Sequence, residues 1–394
     1  MSQSSQNNSG VIVAGLALFS MFFGAGDLIW PLILGGNVGT QNLFGTLGLL
    51  ITGVSLPLLG LIAMLLFQGD YHAFFGRIGK IPSLCLIFIV QIILGPIGSI
   101  PRNMTLSFST LKPYLSEDLT LFYFSLLVSV LLLAFTIRPQ KIVSILGVIL
   151  TPLLLTCLCA ILGTGFYHHP MPQELPITNS EAFFKGLNVG YNTLDLIASF
   201  IFAPLVLSHF TTENGITPEN RKQVFKKMVK ASLLAAGLLS FMYIGLTYIA
   251  SYYTPFLQAH QPEERLSAIA LYLLGPYGAF IACLSVSMAC LTTAIPLVSI
   301  FADYIRKDFT PNQMSSFIPL CLTLVISIFL SNFGFMGIAN LLGPVLQILC
   351  PGLIVLSCLN ILHKLKGTPV YRAPIYATFA LSFYINREMF YSLF

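Results

Sequence analysis

The sequence predicts an all-α polytopic membrane protein built from two five-helix halves, with about one extra helix at the C-terminus, eleven or twelve spans in all. Three observations carry this expectation. Of 394 residues, 56% are hydrophobic and 8% charged, where a soluble domain is about one quarter charged; no soluble interior could absorb so much apolar surface. Apolar stretches of about 20 residues recur from one end to the other. The first and the sixth of them each carry a carboxylate at a corresponding place, beside glycines or polar residues.

The stretches fall at 11–34, 42–67, 82–100, 119–137, 142–167, 186–208, 231–254, 277–302, 314–330 and 333–362. A weaker eleventh lies near 373–394, interrupted by Arg387 and Glu388. Ahead of them, "MSQSSQNNSG" is polar and uncharged. It lacks the basic start of a signal peptide, and the apolar run continues past the small residues, so residues 1–10 read as a cytoplasmic tail before a retained first helix. No soluble domain or long linker intervenes. The expected units are a first repeat at 11–167, a second, inverted one at 186–363, and a C-terminal helix region at 364–394.

Loop charge sets the expected orientation, because Lys and Arg are held on the cytoplasmic side. With the N-terminus inside, 14 of the 19 basic residues fall in cytoplasmic loops: Arg77, Lys80, Arg138, Lys141, Arg221, Lys222, Lys226, Lys227, Lys230, Arg306, Lys307, Lys364, Lys366 and Arg372. Outside remain Arg102, Lys112, Lys185, Arg265 and Arg387. The cluster at 221–230 reads as a topogenic loop beside anionic lipid, so the net charge of +5 calls for no nucleic-acid partner. The eight cysteines lie in or at the ends of apolar stretches without C-x-x-C or Cys–His spacing, which points away from a disulfide framework or a zinc site.

Asp27, in "FFGAGDLIWP", and Asp195, in "GYNTLDLIASF", are the carboxylates well inside the ten main stretches. Each is followed by Leu-Ile, and they sit five spans apart. Gly- or Pro-interrupted segments at equivalent places in two halves are the best sequence pointer to a binding site at the bilayer midplane. Gly24 and Gly26 lower the cost of leaving helical geometry, and Pro31 removes a donor a turn later. A break there frees N–H groups that suit a carboxylate and C=O groups that suit a cation. The bland alternative is a packing kink, with Asp27 paired to a neighbour.

A third element is "ACLTTAIP" (289–296). Ala289, Thr292 and Thr293 share one helical face and could form a neutral oxygen cluster for a hard cation. A threonine pair in a membrane helix also commonly bonds its own backbone four residues back.

These segments resemble a known family. "LFSMFFGAGDLIWP", "GYNTLDLIASFIF", "IPR" at 100–102, "ACLTTAI" and "ITGVSLPLLGLIAM" (51–64) are similar to the bacterial branched-chain amino acid:cation symporters (BrnQ-type), over residues 11 to about 363. The resemblance implies a LeuT-like fold, with two inverted five-helix repeats and discontinuous helices 1 and 6. It implies sodium-coupled import of leucine, isoleucine and valine across the bacterial inner membrane, without an organic cofactor. By similarity, Na+ would be held by the carbonyls of Ser20, Phe23 and Ala289 and the hydroxyls of Thr292 and Thr293. The substrate carboxylate would meet the amides of Ala25 and Gly26. Its ammonium would meet the carbonyls of Phe22 and Asn192, with Asp195 nearby, and a second cation or proton site would fall at Asp27 and Thr193. Two departures stand out. The family's helix 1 motif reads Gly-Ala-Gly-Asn where this chain has Gly-Ala-Gly-Asp, which opens the coupling ion to question, and the family's last helix is shortened.

Rival classes find less support. An intramembrane enzyme needs paired acids for Mg2+–diphosphate or His-Glu-x-x-His for zinc, and the sequence displays neither. An ATP-driven pump would show a phosphate-binding Gly-x-x-x-x-Gly-Lys-Ser/Thr loop. A channel would want a continuous polar file, whereas the polar groups here cluster at one depth. Arg102 reads as a snorkelling residue at the outer end of the third span, with a gate role as the alternative. Tyr248, Tyr252 and Tyr253 read as interfacial anchors.

Overall fold

The structure, a computed structural model, describes residues 2–136, 151–167, 170–210, 220–309 and 315–391. In a bilayer the backbone must close its own hydrogen bonds, and the described residues are accordingly helical, with no strand among them. α1 (Ser2–Phe22) and α2 (Ala25–Val38) make the first span. α3 (Asn42–Leu50) and α4 (Leu56–Leu66) make the second, and α5 (Tyr71–Phe75) is a short connector. α6 (Lys80–Leu94) and α7 (Ser99–Leu111) form the third, α8 (Leu121–Thr136) the fourth and α9 (Thr151–Tyr167) the fifth. α10 (Asn179–Asn192) and α11 (Asp195–Phe210) form the sixth. Then follow α12 (Arg221–Tyr252), the short α13 (Thr254–Gln258), α14 (Arg265–Tyr304), α15 (Phe317–Ser331), α16 (Gly334–Lys366) and α17 (Arg372–Tyr391). Positions 137, 142–150, 314 and 392–394 of the expected spans, with Arg138 and Lys141, lie outside the described residues.

Among the described residues, six stretches are long and apolar enough to cross a membrane by length and composition, and four shorter apolar helices accompany them. Their outer faces carry large exposed hydrophobics such as Leu127, Val130, Ile281 and Phe329, as lipid requires.

Several expected boundaries move. The helix at the N-terminus starts at Ser2, so the expected tail is its first turns. The basic cluster at 221–230 is the start of α12 and not a loop. The third span does not end at residue 100. It bends at Gly95–Gly98, where Pro96 lacks a donor, and continues as α7 to Leu111. Hydropathy ends this span early because α7 carries Arg102, Asn103, Thr105, Ser107 and Thr110, yet all five are buried inside the protein. Arg102 is therefore an interior residue and does not snorkel. Tyr253, expected as an anchor, is also buried, with its hydroxyl 3.3 Å from the Gly165 carbonyl. Arg387 does not interrupt α17; its guanidinium lies over the Tyr384 ring.

The two halves exchange partners. The broken first helix of the first half, α1 and α2, lies along α12, the second helix of the other half. In return α10 lies on α3 and α11 on α4. The third helices of the two halves share a further feature, Leu94-Gly95-Pro96 and Leu274-Gly275-Pro276, each at a bend; Gly275 has φ +68°. Where α10 crosses α3, a Cβ at Gly186 would collide with the Gly45 carbonyl, so the backbones meet directly, as small residues permit in membranes.

Replacing Gly186 with Leu should overpack this crossing and cost about 1–3 kcal/mol, read as a lower melting temperature of the detergent-purified protein. Gly237→Leu, a position with nothing within 4 Å of its Cβ direction, should leave the melting temperature unchanged.

Candidate substrate site

Two chain breaks meet in the protein interior. The first lies between Phe22 and Ala25, with Gly24 in extended geometry. The second lies between Asn192 and Asp195, where Leu194 takes φ +74°. A leucine in the left-handed region costs on the order of 1–3 kcal/mol and persists only where the surroundings impose it; Leu194 is buried. The breaks touch. A Cβ at Gly26 would lie 3.0 Å from the Thr193 carbonyl oxygen, so only glycine allows this approach without displacing a neighbour.

Several of the loosened peptide groups have protein partners. Asp27 Oδ2 accepts from the Gly24 amide at 2.9 Å, capping α2 from within its first turn. The Ala25 amide donates to Asn103 Oδ1 at 3.0 Å. Thr193 Oγ1 donates to the Gly190 carbonyl at 2.9 Å and lies 3.4 Å from the Asp195 amide. The Asn192 carbonyl accepts from Arg102 Nη1 at 3.0 Å.

The acids are bridged. The Tyr243 hydroxyl, from α12, bonds Asp27 Oδ1 and lies 2.7 Å from Asp195 Oδ2; all three residues are buried. One phenolic hydrogen can be given to one carboxylate only. A proton on the other carboxyl would make the second contact a hydrogen bond as well. The fold thus pairs two acids that the sequence keeps far apart, and it does so through a tyrosine. Thr193 and Asp27 line the same cavity, each hydrogen-bonded to other groups.

The oxygen cluster also assembles. Ser20 Oγ lies 3.0 Å from Thr292 Oγ1, Thr292 Oγ1 donates to the Ala289 carbonyl at 2.7 Å, and Thr293 Oγ1 donates to the Ser20 carbonyl at 3.1 Å. Thr293 Oγ1 lies 3.2 Å from where a Cβ on Gly24 would stand, which sets the cluster beside the Phe23–Gly24 peptide. These are neutral oxygens of the type a hard cation takes, with hydroxyls free to turn from one another toward an ion.

The intervening cavity is about 20 Å³ and lined by Phe22, Gly24, Ala25, Gly26, Asp27, Arg102, Asn103, Thr193, Asp195, Phe202 and Thr293, among others. That is room for about one water, so admitting a larger molecule requires the helices to part. Phe22 packs edge-on against Phe202, and Trp30 and Arg102 both lie against the ring of Phe335. Tyr243, Asn103 and Arg102 were not among the expected site residues. A tyrosine at mid-span, away from the interfacial belts, was the signal available for Tyr243.

Comparison with known proteins places these features. A family model described as "Branched-chain amino acid transport protein" matches residues 7–389. The branched-chain amino acid permease BrnQ of Bacillus subtilis is 32% identical over 385 residues, 95% of this chain and 86% of that protein. Among solved structures, MhsT in complex with L-phenylalanine superposes with a TM-score of 0.60 at 16% identity, covering 98% of both chains. A manganese transporter of Eremococcus coleocola gives a TM-score of 0.63 at 11% identity, covering 96% of this chain and 86% of that one. At such identities the structures speak for the fold, which is the LeuT-like one with two interrupted helices. The family and the relatives are transport proteins and not enzymes.

Tyr243→Phe should cost about 1–3 kcal/mol by leaving the buried acids without their shared hydroxyl, measured as thermal unfolding in detergent; an unchanged melting temperature would contradict the bridge. Gly26→Ala should press the two breaks apart and lower uptake at least roughly tenfold with little loss of folded protein, since about 1.4 kcal/mol already corresponds to that factor.

Proposed function

The chain belongs to the branched-chain amino acid transport protein family, and from that premise we propose that it imports leucine, isoleucine and valine by symport with a cation, Na+ first, through alternating access. The observation that carries this reading is the meeting of two interrupted helices around one small cavity, beside a cluster of neutral oxygens. In this reading residues 11–167 and 186–363 are the inverted repeats, and they rock about the site. The N-terminus faces the cytoplasm of a bacterial cell and the chain lies in the inner membrane, in keeping with the bias of Lys and Arg to one side.

Na+ would take the carbonyls of Ser20, Phe23 and Ala289 and the hydroxyls of Thr292 and Thr293, fastening the end of α1 to α14. The substrate would lie between the breaks, with Phe22, Ala25, Gly26, Asn192, Thr193 and Asp195 around it. Phe22, Phe202, Leu94 and Leu297 supply an apolar wall for the side chain. One methylene alters binding by only about 1–3 kcal/mol, so the three branched side chains should compete. Inward movement of one positive charge gains about 2.3 kcal/mol per 100 mV of membrane potential.

A second reading, H+ as a coupling ion, is favoured by one observation. Asp27 and Asp195 share the Tyr243 hydroxyl, whose one hydrogen serves one carboxylate at a time, and in this reading a proton on the other completes the bridge. Release of that proton as the helices part would couple transport to the pH gradient.

Uptake of labelled leucine into proteoliposomes separates the readings. Under Na+ coupling, isoleucine and valine compete, a Na+ gradient drives accumulation, and Thr292→Ala with Thr293→Ala raises the Na+ needed for half-maximal uptake at least about tenfold. Under H+ coupling, a pH gradient alone drives accumulation and Asp27→Asn abolishes that response. Uptake indifferent to Na+, Li+ and H+ gradients would falsify symport.

A further inference from the structure

Arg102 carries a buried charge without an anion. It is 1% exposed, in the interior portion of the third membrane helix. Among the described residues it forms no ion pair. Among the described residues its guanidinium makes one hydrogen bond, from Nη1 to the Asn192 carbonyl, and its Nε and Nη2 have no partner. Its guanidinium carbon is 5.5 Å from the centre of the Phe335 ring. Charges held this deep are paired with a counter-charge or serve a site. Asp27 and Asp195 line the same cavity, but they bond Tyr243 instead.

The two unpartnered nitrogens are the informative ones. Nε–H and one Nη2–H point in parallel from one edge of the planar guanidinium, the fork that grips both oxygens of a carboxylate. Two of the helix-end amides are already engaged. The Gly24 amide is taken by Asp27 and the Ala25 amide by Asn103.

We propose that Arg102 is the residue that recognises the α-carboxylate of the transported amino acid, through its Nε/Nη2 edge; the assignment rests on the transport reading above. A carboxylate drawn to this fork neutralises the buried charge. The Nη1 bond to the Asn192 carbonyl leaves from the other side of the guanidinium and can persist, so a bound carboxylate is tied through Arg102 to the end of α10. Substrate arrival is thereby linked to the break in the sixth span.

The test is competition against labelled leucine on the detergent-purified full chain, with leucine, leucinamide and leucinol as competitors. The last two keep the ammonium and side chain but lack the carboxylate. In the unmodified protein they should bind about 100-fold more weakly than leucine, the scale for removing one partner of a buried charge pair. In Arg102→Gln, leucine should fall to their level, narrowing the gap to about threefold. Arg102→Lys keeps the charge without the fork and should leave a gap of about tenfold; it decides the matter if the Gln variant does not fold. A full-sized gap in either variant overturns the assignment and returns the carboxylate to the backbone amides. If the unmodified protein binds none of leucine, isoleucine and valine, the transport reading itself fails, and the assignment with it.

Discussion

A helix interrupted at membrane depth has no water to satisfy its loosened peptide groups. That constraint accounts for the buried polar residues that surround the two breaks. Asp27 turns back to the Gly24 amide, Asn103 reaches from α7 to the Ala25 amide, and Arg102 reaches from the same helix to the Asn192 carbonyl. Arg102 and Asn103 are neighbours in sequence, yet one tends the break in the sixth span and the other the break in the first. The third membrane helix is thus the brace common to both interruptions, and its bend at Gly95–Gly98 comes just before the braces begin.

The same constraint shapes the charge balance. Two carboxyl groups and one guanidinium surround a cavity with room for little more than a water. The acids are joined by Tyr243 rather than by the guanidinium. The positive group and the acids therefore offer separate handles, which suits a molecule with charges of both signs. The neutral oxygens of Ser20, Ala289, Thr292 and Thr293 lie outside this charged group, so an ion there would add its charge without displacing another.

Much of this was legible in the sequence. Hydropathy gave the membrane class and the order of the spans, because lipid leaves helices little choice. The breaks were legible because glycines and an acid have few other reasons to occur within an apolar run. The oxygen cluster followed from the spacing of Ala289, Thr292 and Thr293. The third span was misjudged for a physical reason: hydropathy averages over a helix, while the polar face of α7 points into protein and only its other face meets lipid. The start of α12 reads as a loop from sequence because basic residues are as content on a helix leaving the membrane as in a loop. Asn103 was not legible, since its partner lies 78 residues away and no local pattern announces such a pair; Tyr243 is conspicuous at mid-span, but its partner 216 residues away is not. The repeated Leu-Gly-Pro at 94–96 and 274–276 was there to be read and strengthens the relation between the halves.

Trp30 stands one ring away from Arg102, with Phe335 between them, and it is the sole tryptophan of the chain. Its indole is buried and its Nε1 has no hydrogen-bond partner among the described residues. Ultraviolet emission excited at the red edge of protein absorbance therefore originates from this one spot. The molecule carries its own optical gauge of polarity beside the cleft, free of any attached dye.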